Sequence, residues 1–243
     1  MDLTTLGIIL AILSLIICVF MYIVPWSNLK LLFAKITLDQ YIAQLNLRKK
    51  YTVAIIDDEI ESFPIDFIRS MDFDVKTYES ISFADSLKMS KFDVVLLDVK
   101  GVVKEDPDEG GAKFIKILKE ARALLPIVAV SSGKFQAELN DYFKISDAII
   151  NKPIEEFKIR EVLTELKADF FDIDILAQSL KERIRKLPVE RKQKFNLEIQ
   201  IVKYFSIQIP KEDLMQSVHQ IATVDSENII QLINIMKDRL DND

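Results

Sequence analysis

Five short apolar runs dense in β-branched residues recur along the middle of the chain, at residues 52–56, 75–78, 92–97, 127–130 and 148–150. The stretches between and after them, roughly 65–71, 83–88, 112–123, 136–143 and 154–168, carry helix-compatible sequence. A strand wetted on one face alternates apolar and polar residues, whereas a strand buried on both faces reads as a continuous apolar run. Parallel strands also need crossover connections, usually helices. The pattern therefore predicts an α/β domain: a five-stranded parallel sheet covered by helices on both sides. Few other folds accommodate it.

In an open sheet of this kind, ligands bind outside the carboxyl ends of the strands. Here those ends carry Asp57 and Asp58, then Asp98, then Ser131, then Lys152. Singly they mean little, because an Asp pair caps turns and a lone Lys is an ordinary surface charge. Delivered together by four strands, three carboxylates, a hydroxyl and an ammonium suit a magnesium ion and a phosphoryl group. Mg²⁺ takes oxygen ligands and bridges carboxylates to phosphate, and an aspartate can attack phosphorus to form an acyl phosphate.

With 243 residues, 49% of them hydrophobic and 29% charged, the chain is globular and long enough for one large or two small domains. The net charge of −6 is unevenly spread: residues 1–50 sum to +3, 51–154 to −6 and 155–243 to −3. An acidic middle region argues against a nucleic-acid surface there. Cys18 and His219 are the sole cysteine and histidine, which removes disulfide frameworks and zinc sites.

Residues 6–24 contain no charge and match the ~20 apolar residues that span a bilayer. Nothing basic precedes them, and no small-residue cleavage site follows, so an uncleaved anchor fits better than a signal peptide. Lys30, Lys35, Arg48, Lys49 and Lys50 all follow the stretch, which puts the bulk of the chain on the cytoplasmic side of the inner membrane. The expected organisation is a short extracytoplasmic tail at 1–5, a transmembrane helix at 6–25 ending beside Trp26, and a helical linker at 26–50. In that linker Leu31, Leu38 and Leu45 recur seven apart, too few heptads to establish a coiled coil. Pairing of two subunits and a plain helical spacer both remain open.

IIDDE at 55–59, VVLLDV at 94–99, IVAVSS at 127–132 and NKP at 151–153 fall in one order at characteristic spacing. In these, the region 51–170 resembles the receiver domain of two-component response regulators, which implies a flavodoxin-like fold. The resemblance also implies roles. Asp98 would be the phosphoacceptor, Asp57, Asp58 and Asp98 would hold Mg²⁺ together with the backbone carbonyl of Lys100, and Ser131 and Lys152 would contact the phosphoryl group. It implies a histidine kinase or phosphotransfer protein as donor, and a Lys152–Pro153 bond in the cis form. The chain departs from the family in several places. No Met-Pro follows Asp98, the loop 104–111 is longer than usual, its acids reading as solvating, and Ile149 stands where many receivers place a switching Tyr or Phe.

Residues 171–243 read as a small helical domain, with helices near 173–187, 189–204, 211–221 and 226–240. Seven basic residues against two acids between 181 and 194 read as a solvated face, although phosphates, anionic lipid or nucleic acid would also suit them. His219 reads as an ordinary surface or packing residue. The sequence thus leads to a membrane-anchored signalling protein, not a turnover enzyme, phosphorylated on Asp98 and signalling to an unidentified downstream protein through its C-terminal helices. The alternatives are a receiver-fold scaffold that is never phosphorylated and a haloacid-dehalogenase-like phosphatase. Lys100, at the place of that family's second acid, disfavours the phosphatase.

Overall fold

The computed structural model describes residues 36–45, 47, 50–132 and 140–242. The expected transmembrane segment, Trp26 and most of the linker lie outside the described residues. Among those that are described, no helix is long and apolar enough to cross a membrane.

Two compact units emerge. The first contains Asn46–Gln178 and Asn234–Asp243. Its strands are β1 (Tyr51–Ile56), β2 (Phe73–Tyr78), β3 (Val94–Asp98), β4 (Ile127–Ser131) and β5 (Ala148–Asn151). All neighbours are parallel and the order is β2-β1-β3-β4-β5, which is the flavodoxin-like arrangement. The continuous apolar runs have their expected cause. In β3, Val95 and Leu97 enter one core with Phe114, Ile115 and Leu118, while Val94 and Leu96 enter the other with Ile159 and Leu163. Burying both faces of a strand leaves no position for polar alternation.

The crossovers include α2 (Ile65–Ser70), α3 (Ser86–Met89), α4 (Gly110–Ala121), α5 (Asn140–Ile145) and α6 (Glu156–Leu166). Gly111 lets α4 approach the sheet: a Cβ there would lie 2.2 Å from the carbonyl oxygen of Asp98. The long loop after β3 is pinned down. Ile81 and Val103 form a bridge, Val102 and Val103 are buried, and Lys113 binds both Asp106 (2.6 Å) and Glu109 (3.1 Å). Acids that looked merely solvating in the sequence therefore hold the loop in place.

At the amino ends of the strands the unit gains a segment that the sequence placed with the C-terminal helices. The last turns of α10 (Ser226–Asp241) belong to it. Arg239, 2% exposed, donates to Asp93 at 2.9 Å, and Asp93 also accepts from the Thr52 amide (2.7 Å) and hydroxyl (2.9 Å). The Arg239 guanidinium lies 5.5 Å from the Tyr51 ring centroid. Beside it Arg122 binds Asp238 (2.7 Å) and the carbonyl of Phe92 (2.9 Å).

The second unit combines residues up to Leu45 with Ser179–Ile233. It contains α1 (Leu38–Gln44), the end of α7 (Ile173–Lys186), α8 (Arg191–Phe205), α9 (Lys211–Ile221) and the start of α10. Its helices follow the expected ones closely, and 197–202 is helical throughout. Thr37 caps α1 in a capping box with Gln40, and Leu38, Tyr41 and Ile42 are buried. The Leu38 amide donates to Glu198 of α8 at 2.9 Å, Asp39 pairs with Lys181, and Tyr41 stacks on Phe205 at 6.2 Å. The described part of the linker is thus a packed helix of this unit, ending where Leu45 becomes extended. His219 is exposed on α9.

Candidate phosphoryl and metal site

Each polar residue at the top of the sheet is placed by the strand that precedes it. β1 ends at Ile56, and the Asp57 amide still bonds the carbonyl of Tyr78 on β2 (3.0 Å). That bond holds Asp57 at the sheet edge with its side chain fully buried. Asp98 is the last residue of β3, and its Oδ1 accepts from the Lys100 amide (3.0 Å). Ser131 ends β4 in register with Asn151 of β5, and its carbonyl accepts from the Lys152 amide (2.8 Å). Lys152 follows β5, and the Lys152–Pro153 bond is cis.

Lys152 reaches across the strand ends. Its Nζ lies 2.8 Å from Asp57 Oδ1 and 2.8 Å from Asp98 Oδ2. Glu59, which the sequence did not single out, is 3.4 Å from the same ammonium, and its amide donates to Asp57 Oδ1 (2.8 Å). Asp57, Asp58 and Asp98 each offer a ligand oxygen, all within 4.8 Å of one another. Ser131 is buried at the neighbouring strand end, one residue beyond Val130, which pairs with Asp98.

The backbone after β3 completes the cluster. Gly101 has a φ of +80°, and a Cβ on it would stand 2.9 Å from Asp58 Oδ2. Glycine meets both demands, the left-handed backbone and the close approach. The backbone at Gly101 thus passes close beside the Asp58 carboxylate. Gly101 and Gly111 were not singled out in the sequence, since a glycine announces its role only when its neighbours are known.

The electrostatics are unbalanced. Burial raises the Asp57 carboxyl above the ordinary carboxylate range, against the lowering effect of its hydrogen bonds to Lys152 and Glu59. Lys152 is held above its ordinary value: burial pulls it down, but the bonds to Asp57 and Asp98 more than offset this. Asp57 Oδ2 is buried without a hydrogen-bond partner. An unsatisfied buried carboxylate oxygen is costly, and one beside two further acids marks the place for a cation. A hard divalent ion such as Mg²⁺ fits this all-oxygen donor set.

No protein-family model matches the sequence, and no curated protein matches it. Among solved structures, the chain is similar to a CheY-like response regulator receiver domain protein from Methanospirillum hungatei, at 17% identity, covering 48% of this chain and 93% of that one, with a TM-score of 0.40. It is similar to a putative response regulator from Chloroflexus aurantiacus, at 17% identity over 49% and 99% of the two chains, with a TM-score of 0.42. A third is the receiver domain of a sensor histidine kinase from Pseudomonas aeruginosa, with a magnesium ion coordinated in its active-site cleft, at 13% identity over 48% and 97%, TM-score 0.39.

Proposed function

We propose that the sheet unit is a phosphoacceptor switch of the receiver type, with Asp98 as the phosphorylated residue, carried on a chain anchored in the inner membrane by residues 6–25. The observation that supports it most is the convergence of three carboxylates within 4.8 Å around a lysine bonded to two of them at 2.8 Å.

Asp98 is suited to be the nucleophile because it stands at the strand end with one oxygen fixed by the Lys100 amide and the other by Lys152. Attack by a carboxylate oxygen forms a new P–O bond while the bond to the donor's leaving group breaks and departs with its electron pair. Asp57 and Asp58, with Asp98, would hold Mg²⁺, which when bound neutralises charge on the transferring oxygens. Lys152, bonded to Asp98 Oδ2, would stabilise the same charge, and Ser131, at the adjacent strand end, would donate its hydroxyl to the phosphoryl group. Once Asp98 is phosphorylated, Lys152 loses a carboxylate partner and gains a phosphoryl one. A local exchange of charge partners of this kind biases a two-state element. A histidine kinase or phosphotransfer protein supplies the phosphoryl group, and the C-terminal helices carry the output to a protein partner.

Incubating the full chain in detergent with acetyl phosphate and Mg²⁺ tests this reading. The expected result is a single added phosphoryl group per chain, labile to hydroxylamine, not formed when Mg²⁺ is chelated beforehand and absent in Asp98→Ala. Unmodified protein, or modification that persists in Asp98→Ala, would overturn it. Sustained release of phosphate from esters would favour a phosphatase instead.

A further inference from the structure

Of the seven basic residues between 181 and 194, three have defined roles in the helical unit: Lys181 pairs with Asp39, Arg183 with Asp225 (3.0 Å), and Lys194 donates to the Arg185 carbonyl (2.7 Å). The other four, Arg185, Lys186, Arg191 and Lys192, are exposed, and no ion pair engages them among the described residues. They flank the short turn between α7 and α8, and the Lys194 bond pins the two helix ends together there. The partly exposed Phe195 lies just inside α8.

The two on α7 have a local explanation, since cations at a helix C-terminus complement its dipole. Arg191 and Lys192 do not. They open α8 directly after its capping acid Glu190, and no further acid follows in the first turn, so two cations stand against one carboxylate at the positive end of that helix. The single capping carboxylate leaves the turn net positive, a departure from the local rule of the kind found at functional sites.

The path of the chain supplies the partner. Leu38 meets Glu198 while Tyr41 meets Phe205, so α1 runs along α8 in the same sense. The N-terminal end of α1 therefore faces the end of α8 that carries Arg191 and Lys192. Residues 25–37, which link this end of α1 to the apolar segment, reach at most ~45 Å when fully extended. Charges act over only ~8 Å at physiological ionic strength. A tether of that reach, joined to the end of α1 nearer the basic turn, lets the turn come that close to a bilayer surface.

We infer that the α7–α8 turn, through Arg185, Lys186, Arg191 and Lys192, docks on anionic lipid headgroups of the leaflet in which the chain is anchored. This rests on the reading of residues 6–25 as a membrane span, and the two are separately testable. The full chain, with Cys18→Ser and a fluorophore on Pro188→Cys in the turn, is assembled into nanodiscs of phosphatidylcholine alone or mixed with phosphatidylglycerol. Co-elution with the neutral discs reads the anchor, and acrylamide quenching of the fluorophore reads the turn.

Shielding is expected only in the phosphatidylglycerol discs, reversed by high salt. Each of the four cations replaced by Gln should lower the docked-to-free ratio roughly five-fold. All four are exposed, so the substituted chain keeps its helical circular dichroism. Loss of co-elution with neutral discs, with shielding retained on anionic ones, would remove the anchor and leave the lipid contact supported. Equal shielding in both discs, none in either, or shielding that survives the fourfold substitution would overturn the inference. Displacement of the turn from anionic discs by a single-stranded oligonucleotide at physiological salt would also overturn it, in favour of nucleic acid.

Discussion

At the carboxyl ends of the strands, Asp57, Asp58 and Asp98 meet the single ammonium of Lys152; at the amino ends, Asp93 and Asp238 meet Arg239 and Arg122. The lower arrangement is balanced, and Asp93 takes further hydrogen bonds from Thr52. The upper one has excess negative charge and leaves Asp57 Oδ2 unpartnered. A neutralised cluster has no need of a ligand and fastens the chain to itself. A cluster short of positive charge is a candidate site, because its deficit can be met by a cation from outside. The difference separates a clamp from a candidate metal site within one sheet.

Removing a charge from each end should therefore have opposite consequences. The largest effect is expected at the clamp. Arg239→Met leaves Asp93 buried with an uncompensated charge, and breaking such a pair costs about 3–5 kcal/mol. Urea denaturation should show that loss, and Asp93→Asn in the same chain should return part of it. A normal midpoint in the single variant would mean that the pair holds nothing.

Next comes the scaffold of the candidate site. Gly111→Ala drives a methyl group into the Asp98 carbonyl, an overpacking cost of about 1–3 kcal/mol. Mg²⁺-dependent stabilisation should fall with it, measured by thermal denaturation with and without the ion.

Asp57→Asn gives the most direct contrast. Because the folded protein holds the Asp57 proton more tightly than the unfolded chain does, the ionised side chain is a burden on the metal-free fold. Neutralising it should leave the metal-free protein unchanged or up to ~1 kcal/mol more stable, as functional sites trade stability for activity, while abolishing stabilisation by Mg²⁺. Clear destabilisation without metal would show that its bond to Lys152 outweighs its burial.

A last contrast concerns Tyr51, beside the clamp. Burial, and next the Asp172 carboxylate, raise its pKa from 10.0 to about 12. A group whose pKa is raised on folding contributes stability below its unfolded value that is lost as the pH rises through the folded one. Stability should therefore fall between pH 10 and pH 12. Tyr51→Phe, which keeps the ring against Phe171 at 4.8 Å, should flatten that decline in a pH series of denaturation curves.

The clamp and the candidate site were unequally legible. The strands stood out because burial on both faces demands uninterrupted apolar sequence, and the acids stood out because they interrupt it at the same end each time. Arg239 and Asp93 lie 146 residues apart, and each looks like an ordinary charge in its own neighbourhood. Nothing local distinguishes an Arg that will be 2% exposed from its exposed neighbour Asp241. Glu59 escaped notice for the same reason, as did the two glycines.

By itself, the sequence determined the period and order of the elements, and with them the parallel sheet and the edge at which Asp57, Asp98, Ser131 and Lys152 emerge. Those are consequences of burial patterns that repeat every few residues. Only the tertiary structure decided how far Lys152 reaches, which oxygen stays unpaired, and that the end of the last helix closes the opposite edge of the sheet. These depend on distances between groups remote in the chain, and such distances are set by packing rather than by any local pattern.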